Sequence, residues 1–400
     1  MKNIVKKMLK AILPNKVRTH LISYKAKAEI LMRKMFMYLC RIFPVDSDKA
    51  VFMSFQGKSC SDSPKAIFRE MVRMKPDGKY VWLMCDNTVR IKHAATASPD
   101  TFKGLYHLAT AKLWVDNMRK EYWIVKRGGQ YYVQTWHGNV ALKKVEKDTE
   151  KTLNANYIKS AKNDSKMADL FLSGTKWRTQ NYRSAFWYKG EILELGYPYS
   201  DVLYGDKNKM HLKIVKAFSL PAVTKLCIYA PTFRRDENIS CYDLDFEGVL
   251  KALKNRFSGE WKLLIRLHPN VRNKHELIKY NDDILDASLY KEMSELALGV
   301  DFLISDYSSS AIDALEAHTH CLLYASDYDE YSKDRSMYFA KDELPFTFCE
   351  TNDKLISEIL SFDEHAAQKK AQQFYDRVGF FNGPDSAKKV TEYILKRIGE

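Results

Sequence analysis

The most constraining feature of the chain is a change of texture near residue 50, after which short apolar runs alternate with amphipathic helical stretches. The runs at 50–55, 80–85, 113–115, 131–136, 170–173 and 191–195 have strand length, and the segments between them, such as 64–74 and 157–168, carry helical spacing. A polar, Lys-rich stretch over 200–222 interrupts the alternation. It then restarts with apolar runs at 226–230, 262–267, 301–305 and 321–324 and helices at about 246–255, 289–298, 309–318 and 352–361. Alternation of this kind predicts parallel strands covered by helices on both faces. Its restart predicts two such units in series, over 46–204 and 205–400. At 400 residues and 46% hydrophobic content, two cores are expected from size alone.

Residues 1–45 stand apart. They hold eleven Lys/Arg against Glu29 alone, whereas the whole chain has 64 basic and 50 acidic residues for a net charge of +14. Most of the surplus is therefore a leader, and the body is close to neutral. That argues against a nucleic-acid-binding face spread over the fold. In 2–13, Ile4, Met8 and Ile12 share one helical side, with Lys2, Lys6 and Lys10 off it; about 19–41 repeats the mixture with Leu31, Met35 and Leu39 beside Lys27 and Lys34. Such helices suit an anionic bilayer interface, or else dock on the fold with a solvated basic edge. No stretch has the eighteen or so apolar residues of a membrane span. The seven cysteines are widely and irregularly spaced without a C-x-x-C pair, which fits neither a disulfide framework nor a zinc site and points to a reducing compartment.

Neither G-x-G-x-x-G nor G-x-x-x-x-G-K-[ST] occurs, so a dinucleotide fingerprint and a Walker-type NTPase are unsupported. Polar and special residues gather instead where strands end, the usual ligand side of open α/β sheets. The first group is Gln134-Thr135-Trp136-His137-Gly138, followed by Lys143. Its histidine either serves as a general base or caps the turn. The second is Tyr229-Ala230-Pro231-Thr232-Phe233-Arg234-Arg235, with a hydroxyl and guanidinium groups suited to a phosphate, or an ordinary surface loop. The third is Arg266-Leu267-His268-Pro269. The fourth, Ser305-Asp306-Tyr307-Ser308-Ser309-Ser310, opens a helix whose first N–H groups favour an anion. His318 and His320 form an H-x-H pair without a third ligand nearby in sequence, which favours a structural role.

Together these segments, with Ser54-Phe55-Gln56-Gly57-Lys58, Ser63-Pro64-Lys65-Ala66, Val115-Asp116-Asn117 and Leu195-Gly196-Tyr197-Pro198, resemble the CDP-glycerol glycerophosphotransferase family of teichoic acid primases and polymerases, over roughly residues 50–395. The resemblance implies an α/β, GT-B-like fold: two Rossmann-like domains facing across a cleft, preceded by the helical leader. It implies transfer of a polyol phosphate from CDP-glycerol or CDP-ribitol to a hydroxyl of a prenyl-diphosphate-linked glycan, with release of CMP, at the cytoplasmic face of the membrane. His137 then matches the catalytic base, with His268 also catalytic. Thr232, Arg234, Arg266, Asp306, Ser308 and Ser309 fall on the donor side, and Trp136, Gly138 and Lys143 on the acceptor side. No cofactor or metal is implied, although a divalent cation is compatible with the scheme. A GT-B glycosyltransferase using a nucleotide sugar, a ribitolphosphotransferase and a non-catalytic membrane or nucleic-acid adaptor are the competing readings. One departure stands beside the base: the family run Trp-His-Gly-Thr-Pro-Leu-Lys is here Trp136-His137-Gly138-Asn139-Val140-Ala141-Leu142-Lys143, one residue longer and without the proline.

Overall fold

A computed structural model describes residues 15–86, 88–232, 242–267, 278–334 and 336–399. The first sheet has seven strands: β1 Asp46–Met53, β2 Lys79–Leu83, β3 Ala95–Ala97, β4 Ala111–Asp116, β5 Tyr131–Gln134, β6 Leu170–Leu172 and β7 Glu191–Leu193. They lie side by side in the order β3-β2-β1-β4-β5-β6-β7, all parallel. The second sheet contains β8 Lys225–Tyr229, β9 Trp261–Ile265, β10 Ile284–Asp286, β11 Phe302–Ser305, β12 His320–Tyr324 and β13 Thr347–Cys349, ordered β10-β9-β8-β11-β12-β13 and again parallel. Central strands are buried on both faces, which is why they read as continuous apolar runs such as Ala50, Val51, Phe52 and Met53.

In each sheet the strand order reverses once, between β1 and β4 and between β8 and β11. Crevices open at the carboxyl ends of strands flanking such a reversal. The expected strands all form. Three that were not expected, β3, β10 and β13, are three-residue edge strands, too short to show any periodicity.

Segments cross between the units in both directions. The closing helix Ser386–Gly399, which follows the second unit in sequence, buries Val390 and Ile394 in the core of the first sheet beside Phe52 and Leu170. Arg397 pairs there with Glu191 at 2.8 Å. In the other direction, Val140 and Leu142 pack in the core of the second unit with Ile228 and Ala311. Helical spacing fixes which face is buried but not which sheet receives it. The second leader helix forms over Asn15–Leu39; the first, expected over 2–13, lies outside the described residues.

Candidate active site at the cleft

The site is best built outward from β5. Gln134 ends that strand, and its side-chain Oε1 accepts a hydrogen bond from Trp136 N at 2.9 Å, which turns the chain sharply. Trp136 then adopts φ 55° and Gly138 φ 77°. A bulky residue at positive φ is strained by roughly 1–3 kcal/mol, so the surrounding packing must hold it there. Trp136 is buried, stacked beneath His137 with ring centroids 4.5 Å apart and edge-on to Phe186.

The imidazole has a defined tautomer. His137 Nδ1 lies 2.8 Å from the carbonyl oxygen of Asn117, which can only accept, so Nδ1 carries the proton and Nε2 keeps its lone pair. Burial pushes the pKa of His137 below the ordinary histidine value. The Asn117 carbonyl works the other way, and the Arg178 and Arg119 guanidinium groups add to the lowering. Asn117 is itself held by the loop after β1, since its Oδ1 accepts from Phe55 N at 2.8 Å. The base candidate is thus tied to the reversal point of the first sheet.

Asp306 performs the equivalent tie in the second sheet. Its buried carboxylate accepts from Thr232 N at 3.0 and 2.9 Å and from Tyr307 N at 2.6 Å, joining the loops that leave β8 and β11. The helix Ser310–Glu316 follows. The N–H groups expected to face an anion are engaged within its own first turn: Ser310 N with Ser308 Oγ at 3.2 Å, Ala311 N with Ser308 O at 3.3 Å and Ile312 N with Ser309 O at 3.0 Å. The Ser309 hydroxyl caps nothing and faces Gly138.

That last contact joins the two units. A Cβ added at Gly138 would lie 3.1 Å from Ser309 Oγ and 3.4 Å from its Cβ. Two candidate segments from opposite units therefore meet where only glycine fits. Gly138→Ala is expected to cost about 1–2 kcal/mol through backbone strain and to lower turnover about tenfold or more by displacing His137. Thermal unfolding and initial-rate measurements check both, and unchanged turnover would refute the close approach.

Arg266, directly after β9, carries a largely buried guanidinium near Glu292. Its Nη2 donates to Tyr290 O at 3.4 Å, and its Nε has no partner among the described residues. Burial lowers its pKa, against the opposing pull of Glu292. Glu292 in turn forms an ion pair across the cleft with Lys65 of the first unit. Lys143 is half-buried on the side of the second unit, its Nζ 5.6 Å from the centre of the Tyr331 ring and its backbone bridged to Met337. Arg234 and His268 lie outside the described residues. Among the described residues no group of three or more His, Cys, Asp or Glu side chains is arranged to hold a metal ion. Asn117, Arg119 and Arg178 are absent from the sequence-derived site, because nothing local marks a residue whose partner lies tens of positions away.

A family model described as CDP-Glycerol:Poly(glycerophosphate) glycerophosphotransferase matches residues 35–396. The chain belongs to this family. It is 30% identical over 393 residues to the teichoic acid poly(glycerol phosphate) polymerase of Bacillus spizizenii, across 92% of this chain and 100% of that one. It is 29% identical over 419 residues to the polymerase of the same name from Bacillus subtilis, across 99% of this chain but 54% of that one. The solved structure of the wall teichoic acid polymerase TagF matches with a TM-score of 0.82 at 28% identity, covering 96% of this chain and 97% of that one. The two facing parallel sheets are thus a GT-B-like fold, and the enzyme is a transferase of the glycerophosphotransferase type.

Proposed function

We propose that the enzyme transfers glycerol phosphate from CDP-glycerol to a hydroxyl of a prenyl-diphosphate-linked glycan and releases CMP. The observation that carries this reading is the meeting of Gly138, next in sequence to His137, with Ser309 of the other unit, in a chain of this family. His137 Nε2 takes the proton of the acceptor hydroxyl. The freed oxygen attacks the glycerol-bearing β-phosphorus, the bond from that phosphorus to the bridging oxygen breaks, and CMP departs with the bridging oxygen. Thr232, Ser308, Ser309 and Arg266, with Arg234 and His268, hold the donor and stabilise the charge gathering on the leaving group. Asp306 acts by fixing the Thr232 loop, and Trp136, Gly138 and Lys143 shape the acceptor side. No step requires a metal or organic cofactor, and a divalent cation is compatible with the scheme.

Glycerol is favoured over ribitol because the relatives named for poly(glycerol phosphate) reach 30% identity, while a poly(ribitol-phosphate) polymerase from Bacillus spizizenii reaches 24%. A donor panel of CDP-glycerol, CDP-ribitol and nucleotide sugars, assayed with the lipid-linked acceptor, tests the proposal. CMP release from CDP-glycerol is the expected result, and turnover confined to a nucleotide sugar would refute it.

The leader supports a site at the cytoplasmic face of the membrane. Residues 19–29 of the helix Asn15–Leu39 are exposed along their whole length, and packing against the body begins at Ile30. Val17, Leu21, Tyr24, Leu31, Met35 and Tyr38 are exposed and follow one another at intervals of three, four or seven, which puts them on one stripe. That spacing would also suit a coiled-coil seam. However, Lys25, Lys27, Lys34 and Arg41 flank it on both sides, so two copies would oppose like charges along the whole contact. A lipid surface of negative charge satisfies both stripe and flanks. Among the described residues no helix is long and apolar enough to cross a membrane, so the contact proposed is interfacial.

Replacing Lys25, Lys27 and Lys34 together with glutamine is expected to weaken binding to vesicles containing anionic lipid about 100-fold, from roughly 1 kcal/mol per charge. Vesicle co-sedimentation at two salt concentrations measures it. Equal binding of wild type to neutral vesicles would overturn the electrostatic part.

A further inference from the structure

Arg178 belongs to the helix Lys176–Ala185 and is 1% exposed. Its Nε donates to Asn139 O at 2.6 Å, Nη2 to Gly138 O at 3.3 Å and Nη1 to Asn181 Oδ1 at 2.8 Å. All three acceptors are uncharged. Among the described residues no carboxylate lies within ion-pair distance of this guanidinium. Arg119, equally buried, makes the contrast, since Glu146 and Asp164 neutralise it at 2.7 and 3.1 Å. An unpaired buried charge costs several kcal/mol, so its retention calls for an anion that arrives only in the working complex. The place is suited to one. The two carbonyls Arg178 holds belong to the loop that carries His137, and Gly138 of that loop abuts Ser309.

We propose that Arg178 is a positioning residue of the transfer: it fixes the carbonyls of Gly138 and Asn139, and so the turn that presents His137 beside the Gly138–Ser309 contact, and its charge is matched only when the donor's diphosphate enters. The inference rests on the reading of His137 as base and of Ser308 and Ser309 as the phosphate side. The run after His137 sends Val140 and Leu142 into the second unit, and Arg178 caps the carbonyls at the start of the crossing.

The charge reaches the imidazole as well. The groups facing His137 are the Asn117 carbonyl and Arg119 from the segment after β4 and Arg178 from its helix. Asp62, beside Asn117, and Asp313 and Glu316 from the second unit border the same seam. Burial pushes those three carboxyls up, Asp62 and Glu316 to about 7, so they offset the two guanidinium charges poorly near neutrality.

The test uses Arg178→Lys and Arg178→Gln in the full chain, with CMP release from CDP-glycerol to the lipid-linked acceptor followed from pH 5 to 9 alongside thermal unfolding. Arg178→Gln is expected to lower kcat about 30-fold through a displaced loop. It should also move the acid limb of kcat/KM to higher pH, because losing a cation lets the imidazole protonate more readily. Arg178→Lys keeps the charge but not the fork, so its limb stays in place and its loss of kcat is smaller. Wild-type kcat and limb in folded Arg178→Gln overturn the proposal, and so do equal losses in both variants with an unmoved limb. Should Arg178→Gln fail to fold, Arg178→Lys decides: reduced kcat with the limb in place supports the assignment, and unchanged kcat overturns it. His137→Ala separates the underlying reading. If it is inactive while the Arg178 variants behave as wild type, only the role of Arg178 falls; if it turns over normally, the base assignment falls first.

Discussion

Replacing His137 by alanine is expected to lower the rate of CMP release about 100-fold or more, the scale of a lost general base, while leaving the fold intact. The size follows from geometry more than from residue type. The Asn117 carbonyl fixes the proton on Nδ1, so Nε2 is the single ring atom able to accept one from the acceptor. Trp136 fixes the ring plane from beneath. A histidine with a lowered pKa stays neutral to lower pH than an ordinary one, and only the neutral form can act as base. Activity is therefore retained through the ordinary histidine range of about 6.5 and lost only at lower pH, as the imidazole takes up a proton. His137→Gln should match alanine in rate, since it restores hydrogen bonding without basicity. Should either variant turn over normally, or the wild-type limb lie well above pH 7, the assignment is wrong.

The strand ends were legible because each puts a run of buried apolar residues directly before His, Pro, Ser or Thr, a juxtaposition that periodicity alone locates. The segments carrying His137, Thr232 and Ser309 stand out this way, and so does the division into two sheets. What held those residues in place was not legible. Arg119 meets Glu146 and Asp164, and Arg178 meets Asn139, across separations of 27, 45 and 39 residues. A buried arginine in a helix such as Lys176–Ala185 reads in sequence as one more solvated charge. The serine run illustrates the converse. It suggested free N–H donors, but Ser308 and Ser309 engage the helix start themselves, and what faces the other unit is a hydroxyl.

Arg119 is where the largest loss of stability is expected. Its guanidinium donates to Glu146 Oε2 at 2.7 Å, to Asp164 Oδ2 at 3.1 Å and to Ser165 Oγ at 2.9 Å, and the three charged side chains are 3% exposed or less. Burial works against its charge, but Glu146 and Asp164 outweigh that and raise its pKa. Arg119→Met keeps the volume and strands two buried carboxylates, a loss of about 3–5 kcal/mol. Asp164 retains donors from Tyr132 at 2.7 Å and Lys120 N at 3.1 Å, so Glu146 is the more exposed to the loss. Adding Glu146→Gln should accordingly recover part of the deficit, because the stranded charge, more than the missing bond, sets the cost. Urea unfolding of the two variants measures this, and a single variant within 1 kcal/mol of wild type would contradict it. The effect should reach the site too. Arg119 lies 5.3 Å from the Trp136 ring centre and 5.0 Å from that of Phe186, the surface on which His137 rests. Even where the variant remains folded, turnover should fall while the acid limb moves upward, since one of the two cations holding the imidazole neutral is gone.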